Sequence, residues 1–224
     1  GRGREREAEQ GEVSGGVELT PIQRWFFERE LENENHYNQA VLLKLKKELK
    51  LEVMREAVRR MMRHHDALRM RFVKEGGEWR QENLVWEERE IVEEVRLRGE
   101  GAEEIEESGR EMQERLRLGD GSLVKVVWYE REGRGERVLI IIHHLVVDGV
   151  SWRILLEDLE RLCEGLSRGE EVKLDEKTSS YQEWGRRLKE YAEREGLRKE
   201  EKYWEEEERE EEGGLPLDKE GGEN

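Results

Sequence analysis

The stretch "VLIIIHHLVVDGVSW", Val138 to Trp152, constrains the chain more than any other. In a sequence where 44% of residues are charged, it opens on a run that is apolar at both parities. A strand buried on both faces accommodates such a run, so a central strand flanked by packed layers is expected here. The run ends on His143 and His144, and Asp148-Gly149 follow. An imidazole is costly to bury unless something pairs with it, and Asp-Gly punctuates secondary structure. The end of this strand therefore reads as a site. Side chains alternate faces along a strand, so the two histidines cannot share one pocket while it stays regular. One is expected to be structural, hydrogen-bonded to backbone, and the other free to act. Asp148 either orients an imidazole or pairs with an arginine to brace the loop, and Gly149 permits a tight turn into the next helix. From spacing alone, a purely structural histidine pair stays open.

The flanking sequence supplies the layers. Thr20 as N-cap and Pro21 at the first helical position start a helix at "TPIQRWFFERE". "HYNQAVLLKLK" reads as a strand. Met54, Ala57, Val58, Met61 and Met62 recur at helical spacing. "ALRMRFV" and "EWRQENLVW" alternate as two strands around the turn "EGG". A weaker helix is expected over 101–116, and "SLVKVVWYE" with "RVLIIIHH" forms a hairpin. After Gly149 a helical stripe runs through Trp152, Leu155, Leu156, Leu159, Leu162 and Cys163, which makes Cys163 a small core residue. A further helix opens at "SSYQEW" with capping-box spacing between Ser180 and Glu183, and its stripe of Tyr181, Trp184, Leu188, Tyr191 and Ala192 reads as core. Paired strands with helices between them predict an α/β sandwich.

Charge excludes several functions. Lys and Arg number 41 against 57 Asp and Glu, a net charge of −16. A nucleic-acid binder shows a basic excess, and an acidic surface repels anionic membranes, so neither partner is expected. No apolar run approaches a membrane span, the first sixteen residues carry no signal-peptide core, and one cysteine forms no internal disulfide; a cytoplasmic setting is expected. The first sixteen residues and "RKEEKYWEEEEREEEGG" (198–214) read as disordered arms or solvated helix faces. A metal site drawing on His36, His64, His65 and Cys163 lacks any of the strong zinc spacings, so none is expected. No nucleophile elbow or phosphate loop occurs. What remains is a histidine acting as general acid or base, the task its near-neutral pKa suits.

"HHLVVDG" (143–149) resembles the HHxxxDG signature of the condensation superfamily of nonribosomal peptide synthetases. "LTPIQRWFFE", "HYNQAVLL", "HHDALRMRF", "DGVSWRILLEDL", "YQEWGRRLKEYA" and the late "YW" and "LPLD" occur in the family's order, covering Leu19 to Asp218. The wordings are more similar to epimerization domains than to peptide-bond-forming ones, which typically carry Arg-His-Glu where this chain has His64-His65-Asp66. The resemblance implies a chloramphenicol acetyltransferase-like α/β sandwich lobe, with a mixed, largely antiparallel sheet and packed helices. It implies inversion at the α-carbon of an aminoacyl or peptidyl thioester, with no cofactor bound directly and the phosphopantetheine arm delivered by a peptidyl carrier protein. His144 is the implied proton-transfer group. His143, Asp148, Gly149, Ser151 and Arg69 are supporting residues, with Asp148 tied to an arginine, Arg69 first. Asn38 and Gln39 match a tunnel-lining motif. The motifs of the family's second lobe find no match, so the expected organisation is an arm over 1–16, an N-terminal lobe over 17–218 and a tail over 219–224, with a C-terminal lobe as partner. Two alternatives stand beside this: condensation-type acyl transfer, and a lone lobe serving as a non-catalytic scaffold.

Overall fold

The computed structural model describes residues 8–98, 101–132 and 134–209. Residues 1–7, the "LPLD" match and the expected tail lie outside them. The chain divides into two compact units, one up to Arg186 and one from Arg187 onward.

In the first unit, β1 (Gly15–Val17), β4 (Glu78–Asn83) and β3 (Met70–Glu75) form a three-stranded antiparallel sheet in the order β1-β4-β3. A four-stranded sheet runs β2-β7-β6-β5, where β2 is Asn38–Lys44, β5 Val92–Arg96, β6 Val124–Arg131 and β7 Arg134–His143. β7 lies antiparallel between β2 and β6, and β5 pairs parallel with β6. The sheet is thus mixed and largely antiparallel, and Val138–Ile142 is interior, as the double-parity run requires.

The two parities of β6 and β7 fill two separate cores. Val126, Trp128, Val138, Ile140 and Ile142 belong to the larger core, shared with α2 (Leu51–His64) and α4 (Gly149–Ser167). Val127, Tyr129, Leu139 and Ile141 belong to a smaller core with Leu97, Leu116 and Met112 of α3 (Ala102–Glu114). Each branched side chain so buried contributes roughly 1.5–3 kcal/mol. The helical stripes expected of α2 and α4 are the buried faces found: Met54, Ala57, Val58, Met61 and Met62 on one, Trp152, Leu155, Leu159, Leu162 and Cys163 on the other. Burial pushes the Cys163 thiol up to about 12, so it is inert. α1 (Pro21–Glu28) starts after Thr20, whose N–H donates to Gln23 Oε1 at 3.1 Å.

Several expectations need correction. The arm ends earlier than residue 16: Val13 is buried, β1 pairs with β4, and Gln10 and Gly11 hydrogen-bond to Lys177. Asp66–Arg69 is a 3-10 turn, so β3 starts only at Met70. β5 carries no strand signature, because its glutamates break the alternation. α5 (Tyr181–Ala192) packs only the start of its aromatic stripe: Tyr181 is half-buried against the larger core, whereas Trp184 and Tyr191 are exposed and Gly185 is the buried residue. In its first turns, Gly185 lies so close to the Glu18 carbonyl that an added Cβ would sit 2.9 Å away, and Gln182 donates to Ser14 and Gly16. The contact face is set by that close approach together with Tyr181, not by the later aromatics of the stripe.

The second unit holds the end of α5 and α6 (Glu195–Arg209), where "RKEEKYWEEEE" forms a solvated helix with exposed Tyr203 and Trp204. Lys202–Glu206 is one of its i,i+4 pairs, worth only a few tenths of a kcal/mol, about 0.3–0.5. No helix among the described residues is long and apolar enough to cross a membrane.

Candidate active site

The end of β7 separates the two histidines. His143 is fully buried; its Nε2 donates to the Glu34 carbonyl at 2.8 Å and its Nδ1 accepts from Leu145 N–H at 3.2 Å. Phe26 meets its ring edge-on. Burial lowers its pKa to about 4, so it is neutral and structural at neutral pH.

His144 lies on the wall of a cleft of about 500 Å³, with Ile22, Trp25, Phe26, Tyr37, Val146 and Tyr181 among the lining residues. Its backbone N–H donates to Tyr37 O at 2.7 Å, and the Tyr37 ring stacks on the imidazole at 5.2 Å between centroids. Nδ1 lies 2.8 Å from the Val147 carbonyl and Nε2 lies 3.0 Å from Gln39 Nε2. Trp152 Nε1 donates to Gln39 Oε1 at 2.7 Å. Three elements converge on this ring: β2 through Gln39, the turn after β7 through Val147, and the first turn of α4 through Trp152.

Asp148 is not tied to Arg69. It is exposed and N-caps α4, its Oδ1 accepting from Ser151 N–H and Ser151 Oγ, both at 2.7 Å. Those two hydrogen bonds hold its carboxyl below the usual range. Arg69 is buried elsewhere, at the hub between α2 and the N-terminal segment. It donates to Asp66 Oδ1 at 2.6 Å and to the Met62 and Arg63 carbonyls that end α2. Asp66 also takes Lys177 Nζ at 2.9 Å. The arginine pairs with the carboxylate three residues before it, in the same turn, and Asp148 is engaged at the helix start. Gly149 opens α4 without a left-handed φ, and an added Cβ there would meet nothing within 4 Å, so neither a tight turn nor a close approach requires glycine.

Asn38 and Gln39 diverge, as alternation demands. Gln39 reaches His144, whereas Asn38 Nδ2 donates to Gln113 O in α3 at 3.2 Å. Neither is among the cleft's lining residues. Tyr37 and Trp152 join the site although sequence reasoning does not single them out; the pattern "HYNQ" against "HH" on a paired strand is the signal that places Tyr37 beside the histidines. Among the described residues one group, His64, His65 and Asp158, has donor atoms within 4.8 Å of one another. Its geometry is that of a hydrogen bond joining α2 to α4, His65 to Asp158 Oδ2 at 2.8 Å, and the positive charge of Lys177 opposes a cation there.

The chain matches the condensation domain family over residues 13–223. It belongs to that family. A subunit of the linear gramicidin synthase of Brevibacillus parabrevis is 43% identical over 97% of this chain, which spans only 3% of that protein. The crystal structure of the epimerization domain from the third module of tyrocidine synthetase B superposes with a TM-score of 0.86 at 36% identity, covering 94% of this chain and 49% of that one. The condensation domain from Monacolin K polyketide synthase shares the fold, with a TM-score of 0.69 at 17% identity, over 88% of this chain and 43% of that one. The sandwich lobe is therefore that of the condensation domain family, and the chain spans about half the length of these solved structures.

Proposed function

We propose that this chain is the His144-bearing lobe of an epimerization domain, which inverts the α-carbon of an aminoacyl or peptidyl thioester presented by a carrier protein. The observation that carries the reading is the His144 imidazole, stacked on Tyr37 and held at both nitrogens on the wall of an apolar cleft. The 36% identity to an epimerization domain supports inversion over acyl transfer. The phosphopantetheine arm arrives as part of the substrate, and the apolar lining suits its methylene and thioester portions.

The chemistry asks for a base positioned at a weakly acidic α-carbon, stabilisation of the enolate-like charge, and a proton returned from the other face. His144 supplies one proton-transfer group. The second comes from the opposite wall, which we assign to a family second lobe. Condensation-type acyl transfer is the alternative, because the family as a whole carries that name; there the same histidine assists amine attack and no α-proton exchanges. An α-deuterated aminoacyl thioester on a carrier protein, given to this chain joined to a second lobe, separates the two. Loss of deuterium to solvent is expected, falling about 10²–10⁴-fold in His144→Ala, the usual worth of general acid–base assistance. Peptide-bond formation with the deuterium retained would overturn the reading.

A further inference from the structure

We infer that Gln39, locked by Trp152, is a positioning residue that fixes the tautomer of His144 and caps its Nε2 lone pair. The inference rests on the proposed role of His144 only for the statement that Nε2 is the working atom. The hydrogen-bond polarity itself follows from the donors and acceptors at the two ends. An indole Nε1 can only donate, so the Gln39 atom 2.7 Å from Trp152 is the carbonyl oxygen, and the amide NH₂ faces His144. An NH₂ can only donate, so His144 Nε2, 3.0 Å away, is the bare nitrogen. At the other edge of the ring, the Val147 carbonyl can only accept, so Nδ1 carries the hydrogen. Both ends of the chain Trp152–Gln39–His144–Val147 demand the same arrangement, with every hydrogen pointing one way.

That arrangement has consequences for proton transfer. The hydrogen on one imidazole nitrogen is set by what the other touches. A His144 held with Nδ1–H has its basic lone pair on Nε2, ready to accept. A proton arriving on Nε2 would set N–H against N–H, so Gln39 must give way before His144 takes one. Burial matters too: Trp152 is only 9% exposed, so its indole N–H needs an acceptor, and the amide cannot flip without leaving it unpaired.

Nitrogen-15 NMR of the labelled chain, with His144 assigned by its loss in His144→Gln, tests this without any turnover. Near neutral pH the expected spectrum has a hydrogen on Nδ1 and a bare Nε2. Gln39→Glu, which keeps size but offers only acceptors, should place a second hydrogen on Nε2, giving the imidazolium, because the Val147 carbonyl still holds the one on Nδ1. Trp152→Phe, which keeps the packing but frees the amide to turn its oxygen to Nε2, should give a mixture of bare and protonated Nε2 with Nδ1–H retained. A wild-type hydrogen on Nε2, or no change in Gln39→Glu when the chain is folded by circular dichroism, would overturn the inference. Should Gln39→Glu fail to fold, Trp152→Phe decides: a single unchanged Nδ1–H tautomer there would overturn it. If the tautomers behave as stated but no deuterium is lost with a second lobe present, the proposed function falls and this inference stands.

Discussion

His143 is a neutral residue at the price of acid sensitivity. In the unfolded chain its pKa returns to about 6.5, whereas burial holds it at about 4 in the fold. Between these values the unfolded state binds more protons, so stability falls as pH is lowered through that window and is fully present above it. The gap corresponds to about 3 kcal/mol at most. Burial lowers His64 and His65 as well, which adds to the loss in the same sense. Carboxylates held low, such as Glu56 and Asp148, lose their contribution at more acidic pH, below the histidine window. Urea midpoints should therefore be level from pH 8 to 7 and drop from pH 6.5 toward 5, with a shallower drop in His143→Gln. A midpoint flat to pH 5 would show that His143 is not buried neutral. Alternation on the strand is enough to say that the two histidines diverge. It is not enough to pair Asp148, because a carboxylate at the end of a loop has both an N-cap and an arginine within its means, and sequence does not rank them.

At the scale of elements, the double-parity run of β7 carries most of what is legible in the sequence. Its two faces predict layers on both sides, and the two cores deliver them. What stays illegible is contact made through the absence of a side chain. Gly185 seats α5 on the Glu18 carbonyl, and Gly135 of β7 lies under the ring of Trp128, where an added Cβ would come within 2.0 Å of Cζ2. The indole is buried and hemmed in by the larger core, so it cannot yield as an exposed side chain would. Gly135→Ala should therefore destabilise the fold by about 1–3 kcal/mol, the usual cost of overpacking. Gly149→Ala, at the exposed start of α4, should leave stability unchanged or slightly raised, because alanine is the better helix former. Thermal unfolding of the two variants checks this. Equal losses in both would mean that the motif glycine holds the fold after all.

For the whole molecule, the balance of titratable groups around the cleft decides what the chain can do unaided. Besides His144, the cleft is lined by Tyr37, Asp148 and Tyr181. Asp148 is held ionised by Ser151, so it is a poor acid. The Tyr181 hydroxyl is tied to Thr20 at 2.9 Å, and burial raises its pKa, so it is a poor proton exchanger near neutrality. Ile22 and Trp25 are more than half exposed at the same cleft, so water reaches the place where an enolate would form. Inversion needs donors on both faces of one carbon and a site from which water is largely excluded. This chain by itself should therefore wash out α-deuterium from a carrier-bound thioester no faster than the thioester does alone. Adding a family second lobe should restore exchange, and His144→Ala should then remove it. Rapid exchange by the chain alone, untouched by His144→Ala, would place the chemistry on some other group of the cleft.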